Sequence, residues 1–244
     1  MRLLLKAVAA AAFAILALAP RAAPASEPHS GPPPLNWSGI YAGIHVGWGR
    51  LDVDRAYPID DHYVMTGVPA DQAPAGWLGG GQVGVNRQFG STLIGAELSL
   101  AAADIAETGT FQGYPTDPPV RLATKMSNLF TATARLGGIH GSLLSYIKGG
   151  YAGAQITASS WDPAPHWSEV THWTGGWTVG GGFELMIRPN LTWGVDYTYI
   201  NFETRTHNGR VNGVGPGPPL FQNTQINAEL HSVMARLNFK IGSW

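Results

Sequence analysis

Two groups of side chains in this 244-residue sequence could do chemistry, a histidine near a carboxylate and a set of ionisable residues that recur in register. His231 stands two residues from Glu229, which puts both on one face of an extended strand. A base beside an acid is half of an acyl-transfer arrangement, and the other half is a nucleophile. The neighbouring segment runs Asn201, Glu203, Arg205, and Ser38 of the first strand belongs to the opposite end, so no outward serine is offered. His231 therefore reads as a hydrogen-bonding histidine at an interface.

Metal and phosphate chemistry fare no better. His62, His166, His172 and His207 fall in stretches read as loops, at spacings that match no ligand pattern. The glycine run Leu78-Gly79-Gly80-Gly81-Gln82 lacks the lysine and following helix of a phosphate loop. Asn190-Leu191-Thr192 fits a glycosylation sequon only by accident of a tight turn. No catalytic residue, metal or cofactor is expected, and the chain is not read as an enzyme.

The second group is Glu97, Arg135, Lys148, Glu184, Asp196, Arg236 and Lys240, three acids and four bases. What gathers them is two-residue alternation. Ile40, Ala42, Ile44, Val46 and Trp48 share one face of a strand over Ser38 to Arg50, with Tyr41, Gly43, His45, Gly47 and Gly49 on the other. The pattern recurs over 77–89, 92–103, 125–139, 143–157, 173–187, 191–206 and 227–241, eight strands in all. Each of the seven ionisable residues falls on the face opposite the apolar one. Charges confined in a narrow lumen must be paired, so they are expected to form a locked ionic plug.

The links alternate strictly. Gly90-Ser91, His140-Gly141-Ser142 and Arg188-Pro189-Asn190 are tight turns, whereas 51–76, 104–124, 158–172 and 207–226 are long. Short turns on one side and long loops on the other are the mark of an all-β, eight-stranded antiparallel up-and-down transmembrane β-barrel. Composition agrees with it. Charged residues are 13% of the chain, cysteine is absent and the net charge of -1 gives no footprint for nucleic acid.

Met1-Arg2 to Ala25 reads as a signal peptide, with a basic start, an apolar stretch and Ala23-Pro24-Ala25 as cleavage element. Residues 26–36 read as a proline-rich periplasmic spacer and 37–244 as the barrel. Aromatics near strand ends suggest girdles at the membrane interfaces: Trp37, Tyr41, Trp173 and Trp244, and above all Trp48, Trp77, Trp177, Trp193, Tyr197 and Tyr199.

Asn36-Trp37-Ser38-Gly39-Ile40-Tyr41-Ala42-Gly43, Ala134-Arg135-Leu136-Gly137, Tyr146-Ile147-Lys148-Gly149-Gly150-Tyr151-Ala152 and Gly176-Trp177-Thr178-Val179-Gly180-Gly181-Gly182-Phe183-Glu184 resemble the outer-membrane β-barrel family of alphaproteobacterial surface antigens. The resemblance implies a porin-like barrel similar to the transmembrane domain of OmpA, at the surface of a Gram-negative cell. One departure is that Trp244 is out of phase with Phe239 and Ile241, where members end on a lipid-facing phenylalanine. The resulting expectation is a structural barrel of the cell outer membrane with a side-chain-filled lumen and long extracellular loops for surface contacts. Its partners would be outer-membrane lipid and lipopolysaccharide, the barrel assembly machinery and an external ligand at the loops. A narrow channel for small solutes, a lipid-modifying enzyme and a soluble ligand carrier are the competing readings.

Overall fold

The computed structural model describes residues 35–56, 71–111, 119–161, 167–203, 205–210 and 221–242. The signal-peptide segment, most of the spacer, His62, His166 and Trp244 lie outside them. Nine strands follow in order: β1 (Gly39–Ala56), β2 (Ala75–Phe89), β3 (Thr92–Phe111), β4 (Val120–His140), β5 (Leu143–Trp161), β6 (Trp167–Arg188), β7 (Leu191–Phe202), β8 (Arg205–Arg210) and β9 (Phe221–Gly242). All neighbours are antiparallel, in the order β1 to β7 then β9, and β9 pairs back onto β1. β8 continues the line of β7 along β9, so the nine strands make eight staves of a closed ring. Closure leaves the membrane-level strands no unpaired edge, the condition for a sheet to stand in hydrocarbon.

Three tight turns sit at one end. Phe89 pairs with Thr92 and His140 with Leu143, so Gly90-Ser91 and Gly141-Ser142 are two-residue turns. Their glycines take φ of 61° and 63°, the first-position conformation that suits a hairpin twist and disfavours other residues. At the third turn Pro189-Asn190 offers no glycine, and the register slips between Met186 and Arg188 instead.

At the other end the strands run further than alternation predicts. β3 reaches Phe111, β5 reaches Trp161 and β6 begins at Trp167, which places His172 inside a strand, opposite Ile156, and not in a loop. His207 likewise lies in β8. The reason is physical: beyond the apolar band the outward residues turn polar, as in Thr157 against Thr171, so pairing continues after the hydrophobic signal has stopped. The seventh stave is interrupted after Phe202, where the Glu203 N–H turns to the Gly175 carbonyl.

The outward face is apolar. Ile44 and Leu100 are each 65% exposed, and Val46, Ile94, Leu98, Leu136, Phe239 and Ile241 are also turned outward. A continuous surface of this kind needs an apolar solvent. The inward face is filled by side chains, and large ones sit opposite glycine. Arg135 pairs with Gly95, Tyr41 with Gly84, Asp196 with Gly182, and both Glu184 and Arg236 flank Gly194. A Cβ at Gly84 would run into the Tyr41 ring. An eight-stranded bore admits bulky groups only if their neighbours are bare.

Candidate functional site

The lumen has two layers. Towards the turn end lies a lattice of ions, to which β3 contributes Glu97, β4 Arg135, β5 Lys148, β6 Glu184, β7 Asp196 and β9 Arg236. Arg135, 2% exposed, donates to the Tyr41 hydroxyl at 2.6 Å, lies 3.4 Å from Glu97 and is ion-paired with Glu184. Arg236 donates to Asp196 at 2.7 Å, pairs with Glu97 and passes Glu184 at 3.7 Å. Lys148 completes the set with a 3.0 Å contact to Asp196. Three cations thus face three carboxylates. The charge balance and the shared partners let the lattice persist in a site where a lone ion would cost several kcal/mol.

Lys240, the seventh residue of the sequence reading, stands apart. It has the right parity but lies four residues nearer the turn end than Arg236, roughly 13 Å along a strand. Its ammonium donates to the Asn36 carbonyl at 2.6 Å. Four bases facing three acids is therefore corrected to three facing three.

Parity alone did not single out the two tyrosines of the lattice. Tyr41 donates to Glu97 at 2.6 Å, and Tyr146 donates to Asp196 at 3.1 Å while accepting from Arg236 at 3.0 Å. The Arg135 guanidinium lies 4.0 Å from the Tyr146 ring centroid, close enough for cation–π attraction. Tyr41 and Trp37 are buried, so neither belongs to a membrane girdle. Both stand near a strand end, as girdle aromatics do, but on the inward parity of that strand. Thr192 and Asn238 give Glu184 further donors at 3.1 and 3.2 Å.

Towards the loop end the same inward face is apolar. Leu51, Val53, Leu78, Ile105, Met126, Ile156, Ile200 and Leu230 form one buried cluster. The lumen is thus layered, with the ions gathered towards the turn end and an apolar cluster towards the loop end. On β4 a bulge between Met126 and Asn128 reverses the alternation, bringing both Met126 and Leu129 inward. No constant-parity reading of 125–139 could place both.

The outward aromatics occupy two levels. Trp48 packs edge-on against Trp77, and Trp177 against Tyr199, each with ring centroids 5.3 Å apart. Trp193 lies near the Pro189-Asn190 turn. Tyr197 shares a 2.6 Å hydrogen bond with His231 Nδ1, and Tyr199 packs on the same imidazole. The register partners of His231 are Tyr199 and Arg50, neither of them a serine. Among the described residues no three acids or histidines are grouped so as to hold a metal ion.

An up-and-down ring of eight staves, greasy outside and ion-paired within, defines a transmembrane β-barrel of the outer membrane. Residues 8–239 match the outer membrane protein beta-barrel domain, and the chain belongs to that family. It is similar to the 25 kDa outer-membrane immunogenic protein of Brucella canis, 23% identical over 75% of this chain and 74% of that one. The Brucella abortus protein of the same description is 22% identical over the same shares. These relatives agree with the resemblance to alphaproteobacterial surface antigens. Among solved structures, the outer membrane protease OmpT of Escherichia coli superposes with a TM-score of 0.52 at 9% identity, covering 83% of this chain and 97% of that chain. That likeness concerns the fold alone.

Proposed function

We propose that the chain serves as a structural surface barrel, closed along its axis, whose long links contact external partners and lipopolysaccharide. The observation that carries this reading is the buried lattice joining Arg135, Arg236 and Lys148 to Glu97, Glu184 and Asp196 across the bore. Opening a path through it would strand charges, and the apolar cluster above it offers ions no partner. By the rule that outer-membrane barrels keep short turns in the periplasm, the long links face outward. Residues 1–25 would direct export, 26–36 would remain as a periplasmic spacer, and the assembly machinery would insert the barrel.

A non-catalytic role is supported at His231, which stands two residues from Glu229 on the outer wall. The His231 Nδ1 is engaged by Tyr197, and the outward positions beside it on β7 and β1 are Tyr199, Asn201, Arg50 and Asp52. OmpT is described as a protease, but shared architecture does not transfer an activity. The test is single-channel recording of the purified protein in planar bilayers. No current steps are expected; discrete steps that scale with salt would establish a narrow pore in place of a closed barrel. Binding of the protein to lipopolysaccharide or host cells should be lost on deleting the long links and kept on altering the turns.

A further inference from the structure

Between the ionic and apolar layers lies a small cavity, about 20 Å3, bordered by His45, Thr133, Lys148, Thr178, Asp196 and Arg236. Two of these lining residues carry a buried polar atom, His45 Nε2 and the Thr133 hydroxyl, with no hydrogen-bond partner among the described residues. The role of His45 Nε2 can be worked out from the far end of a relay. Glu184 only accepts, so Asn238 must present its Nδ2 to it, at 3.2 Å. Asn238 Oδ1 then accepts from Gln82 Nε2 at 2.6 Å, and the same Nε2 donates to the Ile44 carbonyl at 3.3 Å. Gln82 Oε1 is left facing His45 Nδ1 at 2.6 Å, so Nδ1 carries the proton. A second proton on Nε2 would set an uncompensated charge beside Lys148 and Arg236, which line the same cavity, so His45 is neutral and its Nε2 carries a bare lone pair.

We propose that this cavity is a binding site for a single neutral hydrogen-bond donor of the size of water, held between His45 Nε2 and Thr133. An anion is disfavoured by the lone pair. A cation would add charge beside Lys148 and Arg236 where acids and bases already balance. The volume is that of about one water, and a buried water of this kind needs two or more polar partners, which this cavity supplies. The site is independent of whether the barrel conducts.

The experiment is solution NMR on the full chain in detergent micelles with 15N-labelled histidine, the His45 signals being assigned by their loss in His45→Gln. Two-bond proton–nitrogen correlations should report the Nδ1-protonated tautomer, and the His45 Hε1 proton should show cross-relaxation with long-lived water. In Thr133→Val the water contact should disappear while the tautomer persists. In Asn238→Leu the tautomer should become mixed. An Nε2-protonated His45, no water contact in the wild type, or an unchanged one in Thr133→Val would overturn the proposal. Heat-modifiable migration establishes that each variant is folded, and the wild-type measurement decides even where a variant is not.

Discussion

Tyr41 and Tyr146 play the same part on opposite flanks of the lumen lattice. Each hydroxyl accepts from an arginine and donates to a carboxylate, Arg135 and Glu97 for Tyr41, Arg236 and Asp196 for Tyr146. A phenol is suited to this because its ring fills the bore while its single oxygen both gives and takes. Tyr41→Phe and Tyr146→Phe keep the ring and remove the bridge. Each should lower stability by about 1–3 kcal/mol, the cost of leaving buried partners short of a hydrogen bond. Urea unfolding in micelles followed by tryptophan fluorescence would measure it.

Removing an ion should cost more than removing a hydroxyl. Arg135→Met leaves Glu97 and Glu184 short of a partner in a site closed to water, and about 3–5 kcal/mol should be lost. Lys240→Met, on the same inward face, should change stability by no more than ~0.5 kcal/mol, because that ammonium only meets the Asn36 carbonyl at an exposed rim. Equal effects of the two substitutions would mean that the lattice is not closed at Arg236.

Glycine-for-space gives a paired test. Gly84→Ala drives a Cβ into the Tyr41 ring, whereas at Gly149 the nearest atom to a new Cβ is the Thr178 carbonyl oxygen at 3.5 Å, an ordinary contact. Gly84→Ala should cost about 1–3 kcal/mol and disturb the Tyr41 hydrogen bonds. Gly149→Ala should be neutral. The measurement is the temperature at which the compact band on a gel converts to the unfolded one.

The apolar layer predicts its own signature. Ile200→Ala or Leu230→Ala, deep in the cluster towards the loop end, should lower stability by about 2–5 kcal/mol as buried core substitutions do. A water-filled bore at that level would leave both near zero. Denaturant unfolding of the two variants separates these cases.

Most of the ring was legible in the sequence because one physical rule governs it. Outward residues meet hydrocarbon and inward ones do not, so Ile44, Val195 and Phe239 announce their face by type, and the turns at Gly90 and Gly141 announce theirs by conformation. The sites that escaped are those where the rule lapses. His172 sits past the apolar band, where polar strands pair without a hydrophobic signal. Met126 sits past a bulge, which no constant parity can follow. Lys240 obeys parity but not height, a coordinate that alternation does not carry. Within the lattice, Arg135, Glu184 and their partners were readable as charges on an inward face. Tyr41, expected in a girdle, and Tyr146 and Gln82 were not assigned to it, since uncharged residues on that face are ambiguous until the opposing wall is known.

The register between β1 and β9 closes with an irregularity near the C-terminal end of β9. Tyr41 pairs with Lys240 but Ile40 with Gly242, so Ile241 is an extra residue on β9. Gly39, at φ 139° and with the Gly242 carbonyl against the position of its absent Cβ, is the residue that accommodates this join.

A transmembrane barrel must meet lipid with its apolar face. The chain has no cysteine, so single cysteines can be placed at Leu98, Val195, Phe239, Thr133 and Thr198 and spin-labelled after reconstitution into bilayers. Labels at Leu98, Val195 and Phe239 should be relaxed strongly by oxygen and weakly by a water-soluble nickel complex, and those at Thr133 and Thr198 weakly by oxygen. Nickel access at Val195 and Phe239 together with strong oxygen access at Thr133 and Thr198 would turn the barrel inside out and contradict this orientation.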